Sequence, residues 1–242
     1  TLDNTGVTDA AGNAGTGTTN SNNYAVDTQL PTVAITPDVA SLKAGETTTL
    51  TFTFSEDVGS SFTSDDISVS GGTLGALTRV DATHYTAVFT PTPGSSTNGV
   101  VSVASGRFTD AAGNANTDGE DANNSVTLSV DTARPTATIV VADTALKVGE
   151  TSLVTITFSE AVTGFTNADL TIANGMLSSV SSADGGRTWT ATFTPTADIE
   201  DTTNLITLDN TDVTDAAGNA GTGSTDSNNY AIDTRPPTVA IT

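Results

Sequence analysis

Hydrophobic and polar residues alternate along much of this 242-residue chain. In the stretch TLTFTFS, Leu50, Phe52 and Phe54 occupy one phase and threonine or serine residues occupy the other. Because successive side chains of a β-strand point to opposite faces of the sheet, this pattern predicts a strand with one buried and one solvated face. The stretch HYTAVFT alternates in the same way through Tyr85 and Phe89. No window has the 3.6-residue period of an amphipathic helix.

The alternating stretches recur about 100 residues apart, which is the length of a whole domain rather than of a solenoid unit. FSE at 54–56 returns at 158–160, and FTPT at 89–92 returns at 193–196. Asp-Thr followed by proline marks each junction, and proline stiffens such linkers. We expect four segments: the C-terminal part of an incomplete repeat at 1–27, complete repeats at 28–131 and 132–233, and the first strand of a further repeat at 234–242.

Each complete repeat contains about seven short strands separated by Gly, Asp, Asn and Pro turns. This spacing is typical of an immunoglobulin-like β-sandwich, so we predict an all-β chain of tandem sandwiches joined by short proline-containing linkers. We name the predicted strands A to G. In the first complete repeat they lie at 32–36, 47–55, 66–70, 74–80, 84–90, 99–105 and 125–130.

The composition excludes several classes of function. There are 28 acidic and 7 basic residues, giving a formal net charge of −21, so the surface repels nucleic acids and anionic membranes and attracts cations. Cysteine is absent, which excludes disulfides, cysteine-based zinc sites and thiol nucleophiles. No apolar run approaches the ~18 residues of a membrane-spanning helix, so we expect no direct membrane insertion.

One polar phrase occurs three times. VTDAAGNAG stands at 7–15 and again at 213–221, and the related FTDAAGNAN stands at 108–116. Its glycine and asparagine predict a loop, and the strand assignment places this loop between F and G. In an immunoglobulin-like sandwich the B–C and F–G loops lie at the same end, where strand A also begins. Acidic residues from the linker, the B–C loop and the F–G loop are therefore expected to converge at one pole of each repeat.

These converging residues have the chemistry of a calcium site. No lysine or arginine recurs in the loops to compensate them, and Ca²⁺ accepts six to eight oxygen ligands at about 2.3–2.6 Å. Gly113 would let the loop turn tightly, and Asn114 would supply an amide oxygen or brace the loop. The predicted ligands at the two complete poles, and at the outermost positions, are Asp27, Glu56, Asp66, Asp110 and Asn114; Asp131, Glu160, Asp169, Asp215 and Asn219; and Asp9 and Asp233.

A simpler interpretation of the repeated phrase is an ordinary turn in which Asp and Asn bond their own backbone. Three copies, two of them paired with both a linker aspartate and a B–C glutamate, favour the cation site. We expect no enzymatic activity, because His84 is the only histidine and no nucleophile–base pair can be assembled around it. Trp189 takes the place of Tyr85 in the alternation and is predicted to be a core residue.

With these motifs identified, the chain resembles the bacterial Ig-like tandem repeats of very large surface adhesins that are exported by type I secretion, the RTX and biofilm-associated adhesins. VTDAAGNAG, LTFTFSE at 50–56, and DT..PTVAIT at 27–36 and 233–242 carry the resemblance, which covers nearly the whole chain. It implies an extracellular, monomeric, extended rod. In such a rod, neighbouring repeats of one chain are the partners, and calcium at the junctions stiffens a stalk that holds an adhesive domain away from the cell.

The leading functional hypothesis is therefore a non-enzymatic extender segment that serves cell adhesion and biofilm formation. The alternative is an Ig-like binding module that recognises a glycan or a host or surface protein. That alternative predicts exposed aromatic side chains and a patch that differs between repeats. The few aromatic residues fall at core-phase positions of the strands, which argues against it.

Overall fold

The computed structural model describes residues 1–241 and is all-β, with four three-residue 3-10 turns as its helical elements. This confirms the predicted fold class of tandem immunoglobulin-like sandwiches. The 3-10 turns span Asn4–Gly6, Ser64–Asp66, Ala122–Asn124 and Asn167–Asp169. Residue 242, the last of the predicted fourth segment, lies outside the described residues.

The first 27 residues contain a single two-stranded antiparallel sheet. It is formed by β1 (Leu2–Asp3) and β2 (Thr18–Thr19), with Leu2 opposite Thr19. The side chains of both strands are exposed. This segment therefore contributes no core within the described chain.

The first complete repeat is a sandwich of two sheets. Strands B and E, which alternate most regularly, pair at its centre, and Phe52 lies opposite Tyr85. One sheet has the order β3-β5-β9-β7, with β8 beside β9, and the other has the order β4-β11-β10-β6. The strands are β3 (Val33–Pro37), β4 (Ser41–Lys43), β5 (Thr48–Phe54), β6 (Ile67–Ser70), β7 (Gly72–Leu74), β8 (Thr78–Arg79), β9 (His84–Pro91), β10 (Gly99–Val103) and β11 (Ser125–Asp131).

The second complete repeat has the same layers, with a break in one sheet. Its intact sheet has the order β12-β14-β18-β16, with β17 beside β18. The other sheet divides into β13-β22-β19 and β15-β20-β21. The strands are β12 (Ala137–Val141), β13 (Ala145–Lys147), β14 (Ser152–Phe158), β15 (Leu170–Ile172), β16 (Gly175–Leu177), β17 (Ser181–Ser182), β18 (Thr188–Pro195), β19 (Glu200–Asn204), β20 (Ile206–Asp209), β21 (Ser224–Asp226) and β22 (Tyr230–Asp233).

Two features of the strands differ from the sequence prediction. Predicted strand D, 74–80, is split into β7 and β8, since the chain leaves the sheet between Leu74 and Thr78. A short strand between A and B, β4 or β13, was not predicted. It pairs in parallel with the last strand of its own repeat, and Asp131 lies opposite Lys43. Three residues are too few to show a clear alternation, which is why the pattern missed it.

Each repeat has its own hydrophobic core between its two sheets. In the first repeat the rings of Phe54, Phe62, Tyr85 and Phe108 meet edge to face near the pole where strand B ends. In the second, the intact sheet faces the divided one across a core that includes Phe193. Pro31 and Pro135 of the linkers are buried at the entry to each sandwich, so the poles are part of folded structure rather than free ends.

Candidate metal centre

The structure brings three acidic side chains together at the N-terminal pole of the first complete repeat. Asp27 comes from the linker, Glu56 follows strand β5, and Asp110 lies in the loop between β10 and β11. One carboxylate oxygen of each lies within 4.8 Å of the others. Asp110 is 6% exposed and Glu56 is half-buried, whereas Asp27 is exposed. We call this set the first acidic cluster.

The second acidic cluster repeats the arrangement at the junction between the two complete repeats. It consists of Asp131, Glu160 and Asp215, again with one carboxylate oxygen of each within 4.8 Å of the others. Asp131 is the last residue of β11 and therefore belongs to the first repeat. Glu160 and Asp215 belong to the second. This cluster thus joins acidic groups from two consecutive sandwiches.

The repeated loop positions its aspartate with local hydrogen bonds. In the second repeat Asp215 Oδ1 accepts from the Asn219 backbone N–H at 2.8 Å, and Asp215 Oδ2 accepts from Asn219 Nδ2 at 2.7 Å. Gly218 has a φ of +84°, which a glycine adopts without steric cost and which closes the turn. The loops at Asp110 and Asp9 form the same bonds. The repeated loop therefore both forms the turn and supplies one of the three acids of each cluster.

In each cluster the glutamate is the residue whose pKa is raised. Burial, together with the charges of Asp27 and Asp110, raises the pKa of Glu56 above its ordinary value. Burial, Asp215 and Asp131 raise the pKa of Glu160 in the same way. Within residues 1–241 no basic side chain forms an ion pair with any of these acids.

Two further observations concern the first cluster. The Glu56 Oε1 atom is buried and has no hydrogen-bond partner among the described residues, an unusual state for a carboxylate oxygen. Burial acts against it, yet hydrogen bonds from the Asn114 side chain and backbone hold the pKa of Asp110 below its ordinary value. The cluster therefore combines an ionised aspartate with a glutamate whose charge lacks a partner.

This geometry fits a divalent cation bound by oxygen ligands. Two oxygens that share a Ca²⁺ at about 2.3–2.6 Å cannot be more than about 5 Å apart. The carboxylate oxygens of each cluster, which all lie within 4.8 Å of one another, meet that limit. A cation would also supply the positive partner that Glu56 Oε1 lacks. The residues that would hold it are Asp27, Glu56 and Asp110, and likewise Asp131, Glu160 and Asp215.

Two predicted ligands of the B–C loops are not in the clusters. Asp66 Oδ2 accepts from Thr63 N at 2.8 Å, and Asp169 Oδ2 accepts from Thr166 N at 2.7 Å. Each aspartate caps a 3-10 turn, in a reciprocal arrangement with its threonine. Asp66 and Asp169 therefore take part in the local structure of the B–C loops and lie outside both acidic clusters.

The two asparagines brace the clusters through hydrogen bonds donated by their side-chain nitrogens. Asn114 Nδ2 donates to Asp110 Oδ2 at 2.8 Å and to the Asp27 carbonyl at 3.2 Å. Asn219 donates in the same way to Asp215 and to the Asp131 carbonyl. The Asn219 side-chain oxygen accepts from the backbone N–H of Ala44 at 2.7 Å. Of the two roles expected for the asparagine, the structure therefore shows bracing.

The outermost predicted ligands, Asp9 and Asp233, stand apart from both clusters. The Asp9 carboxylate accepts from Asn13, whose hydrogen bonds lower its pKa. Asp233 accepts from the Arg235 backbone N–H at 3.3 Å. Neither belongs to a group of three acids within the described chain. Each would need acidic groups from a further repeat to complete a cluster.

Sequence reasoning missed the contribution of the opposite pole to the junction. Ala44 follows the last residue of β4, Lys43, and its backbone N–H donates to the Asn219 side chain of the second repeat. Arg134 of the linker donates from Nη1 to the Ala220 carbonyl at 2.7 Å beside this contact. The available signal was the recurrence of LKAGET at 42–47 as LKVGET at 146–151. Its role depended on recognising β4, which the pattern did not predict.

The comparisons with known proteins agree with this architecture. The family model described as bacterial Ig-like domain matches residues 27–129 and again 131–232. The chain belongs to the family of bacterial Ig-like domains. No curated protein matches it.

Several solved structures are similar to these bacterial Ig-like repeats at the level of the fold. The Escherichia coli adhesin FdeC is 16% identical, with a TM-score of 0.46 over 83% of this chain and 64% of that one. Invasin, a bacterial integrin-binding protein, is 16% identical, with a TM-score of 0.39 over 73% of this chain and 36% of that one. The Yersinia pseudotuberculosis adhesin InvE is 15% identical, with a TM-score of 0.36 over 82% and 58%. The chain thus spans less than two thirds of each.

Outside the clusters, His84 and Trp189 are the residues that could suggest other chemistry, and both make local structural contacts. His84 Nδ1 lies 2.9 Å from Asp81 Oδ1 in the turn before β9, and the Thr83 hydroxyl lies 3.1 Å from the same His84 nitrogen and donates to Asp81 Oδ1 within the same turn. Trp189 packs against the core of the second repeat and donates from Nε1 to the Gly186 carbonyl at 2.9 Å. Within residues 1–241 no helix has the length and apolarity needed to span a membrane.

Proposed function

We propose that this chain is an extender segment of an extracellular bacterial surface adhesin, stiffened by calcium at the junctions between its Ig-like repeats. Such a segment projects a distal adhesive domain from a cell that exports the protein by type I secretion, and it serves adhesion and biofilm formation. The bacterial Ig-like family, the tandem arrangement and the acidic surface support this role. Its partners are the neighbouring repeats of the same chain, in a monomeric rod.

The observation that carries the proposal is the composition of the second acidic cluster. Asp131 ends the last strand of one sandwich, and Glu160 and Asp215 extend from the next. Without a cation these like charges repel one another, and burial together with the charges of Asp215 and Asp131 raises the pKa of Glu160. A bound calcium ion supplies the opposing charge. Because its ligands then come from both sandwiches, the angle between the repeats becomes fixed.

The first acidic cluster would do the same for the repeat that precedes it in a longer chain. Extracellular calcium modules bind in the range of about 10⁻⁴–10⁻³ M. The segment is then stiff outside the cell and flexible at the low calcium concentration inside it, which favours export. This model requires one ion at each of the two clusters.

The decisive experiment is a calcium titration of the full chain, starting in EDTA, followed by small-angle scattering and calorimetry. We expect two bound ions per chain and a larger radius of gyration with a rod-like profile in calcium. Asp131→Asn should bind one ion and lose the change in shape. Asp27→Asn should also lose one ion but keep the stiffening between the complete repeats.

Asp65→Asn controls for the loss of one negative charge, since Asp65 is exposed and outside both clusters. It should behave like the unaltered protein. Identical scattering profiles in EDTA and in millimolar calcium would refute the calcium-dependent stiffening. A shape change that survives in Asp131→Asn would place the responsible site elsewhere.

The alternative, a module that binds a glycan or a protein receptor, gains no support from the surface of the complete repeats. Ten of their eleven aromatic side chains are buried, and the remaining one, Trp189, is packed against the core. A glycan-binding face usually presents aromatic rings to solvent. The described residues of these repeats form no such aromatic face.

A further inference from the structure

The junction contains a contact that needs no cation. It joins the edge of the first repeat to the Asn219 side chain of the second. In the first repeat β4 and β11 pair in parallel up to Lys43 and Asp131. The next rung of a parallel ladder at this edge would use the Ala44 N–H and the Asp131 carbonyl.

The Asn219 amide occupies that rung. The Ala44 N–H donates to Asn219 Oδ1 at 2.7 Å, and Asn219 Nδ2 donates to the Asp131 carbonyl at 3.0 Å. A side-chain amide has the same donor and acceptor as a peptide group, so it can continue a backbone ladder. Asn219 is 2% exposed, and its orientation is fixed by its bonds to Asp215.

We propose that Asn219 is an interlocking residue through which the second repeat docks onto the open rung of the first, independently of metal. The docking surface is the end of the β4–β11 ladder, and its partner is the asparagine of the DAAGN loop in the following repeat. This goes beyond the proposed calcium role. The interlock sets the orientation about which the two repeats move when no ion is bound, and a bound ion narrows that motion.

At the two outer poles of the complete repeats, the residues that correspond to Ala44 and Asn219 have no neighbouring repeat to contact within the described chain. Val148 corresponds to Ala44, follows β13 in the same way and is 62% exposed. Asn114 corresponds to Asn219 and is only half-buried, although its bonds within the loop and to the Asp27 carbonyl are the same. A preceding repeat would cover Asn114, and a following repeat would cover Val148.

The turn at Ala44 permits a substitution that removes a single donor. Glu46 N donates to the Lys43 carbonyl, and Gly45 has a φ of +84°, as at position i+2 of a type II turn. Ala44 is then at position i+1, where proline is favoured. Ala44→Pro should therefore keep the turn and delete the N–H that Asn219 accepts from.

The second repeat supplies the matched control. Its turn has the bond from Glu150 N to the Lys147 carbonyl and a φ of +80° at Gly149. Val148→Pro makes the same change where no neighbouring asparagine docks within the described chain. Asn219→Ala and Asn114→Ala form a second matched pair, since both remove the bonds within the loop and only the first removes the contact with Ala44.

The experiment measures the inter-repeat distance distribution in EDTA, so that the cation does not contribute. The chain has no native cysteine, so spin labels can be placed through Ser68→Cys and Thr171→Cys, two exposed positions on corresponding strands. Ala44→Pro and Asn219→Ala should each widen the distribution at least about twofold, whereas Val148→Pro and Asn114→Ala should leave it unchanged. In the unaltered protein the Ala44 amide should exchange with solvent at least about tenfold more slowly than the Val148 amide.

Equal exchange rates at Ala44 and Val148, or an unchanged distribution in Ala44→Pro, would overturn the interlock. This outcome is separate from the calcium proposal. The protein could respond to calcium while Ala44→Pro has no effect in EDTA, which would refute the interlock alone. It could also fail to respond to calcium while Ala44→Pro widens the distribution, which would refute the calcium role alone.

Discussion

Glu160 is the residue at which the charge of the junction is least compensated. It follows strand β14, it lies between Asp131 and Asp215, and burial and these two charges raise its pKa. Asp215 differs, because two hydrogen bonds from Asn219 satisfy its oxygens. A carboxylate held in this way is a ready ligand, whereas Glu160 gains most from a positive partner.

Replacing Glu160 by glutamine should therefore have opposite effects with and without calcium. In EDTA, Glu160→Gln removes a repelling charge, so the melting temperature of the second repeat should rise slightly. In calcium it would remove one of the proposed ligands, so the calcium affinity of that cluster should fall by at least about 10–100-fold, which is the usual loss when an outer-shell partner of a metal is mutated. Calorimetry in both conditions measures this. A lower melting temperature of Glu160→Gln in EDTA would contradict the proposed repulsion.

At the scale of the element, the two sheets of each sandwich approach closely where glycine replaces a side chain. In the first repeat the Phe89 ring fills the space between Gly72 on β7 and Gly99 on β10. A Cβ on either glycine would lie 2.5 Å from Phe89 Cζ. In the second repeat Phe193 packs on Gly175 in the same way. These glycines leave room for the central aromatic ring and, at Gly72 and Gly175, for the backbone carbonyl oxygen of Thr90 or Thr194 on the neighbouring strand.

Gly72→Ala should consequently destabilise the first repeat by about 1–3 kcal/mol, the usual cost of overpacking a core. Gly75→Ala is the control on the same strand edge, because a Cβ there would meet its nearest atom, the Val88 carbonyl oxygen, at an ordinary 3.5 Å. Its effect should stay within about 0.5 kcal/mol. Urea unfolding of the two variants tests the difference. Equal destabilisation would mean that backbone freedom, and not the Phe89 ring, explains these glycines.

At the scale of the whole molecule, two separate cores are linked only through a junction rich in acidic groups. The behaviour of the junction should therefore dominate how the chain responds to its surroundings. At this junction, burial and the charges of Asp215 and Asp131 raise the pKa of Glu160. By contrast, Asp81 and Asp184, in the turns before β9 and β18, have pKa values lowered to about 2 by hydrogen bonds and stay ionised through mild acid.

This difference predicts a response to pH that changes sign with calcium. A carboxyl whose pKa is raised in the docked state stabilises that state when protonated, so in EDTA the junction should become more ordered as pH falls from 7 through the raised glutamate pKa. In calcium the ligands must be deprotonated, so the same acidification should release the ion and loosen the junction. The inter-repeat distance distribution, measured across this pH range in EDTA and in calcium, shows how its width changes with pH in each condition. Glu160→Gln should lack the change in EDTA. Slopes of the same sign would contradict the scheme.

Much of the architecture followed from local pattern. Alternation of period two located the strands on either side of each core, because a half-buried strand must place apolar residues on one face. Self-similarity located the repeats. In an immunoglobulin-like sandwich the B–C and F–G loops lie at the same end, which predicted that Asp27, Glu56 and Asp110 share one pole. The structure places these three residues together. Whether a cation binds there stays a prediction.

Other features needed the tertiary structure. Asp66 and Glu56 stand in the same B–C loop and look equally suitable as ligands, yet Asp66 turns back to cap its own 3-10 turn. The direction of a loop side chain depends on hydrogen bonds that residue type alone does not specify. Strand β4 was missed for a related reason, since a three-residue strand is stabilised by its partner β11 rather than by its own pattern.

The sequence by itself thus determined the fold class, the repeats and the concentration of negative charge at one end of each repeat, because these depend on periodicity and composition. Only the tertiary structure decided which acids meet, that the asparagine donates to the neighbouring aspartate, and that Asn219 bonds both the Ala44 N–H and the Asp131 carbonyl across the junction. Those outcomes depend on distances of a few ångströms between residues that are far apart along the chain, which no local pattern encodes.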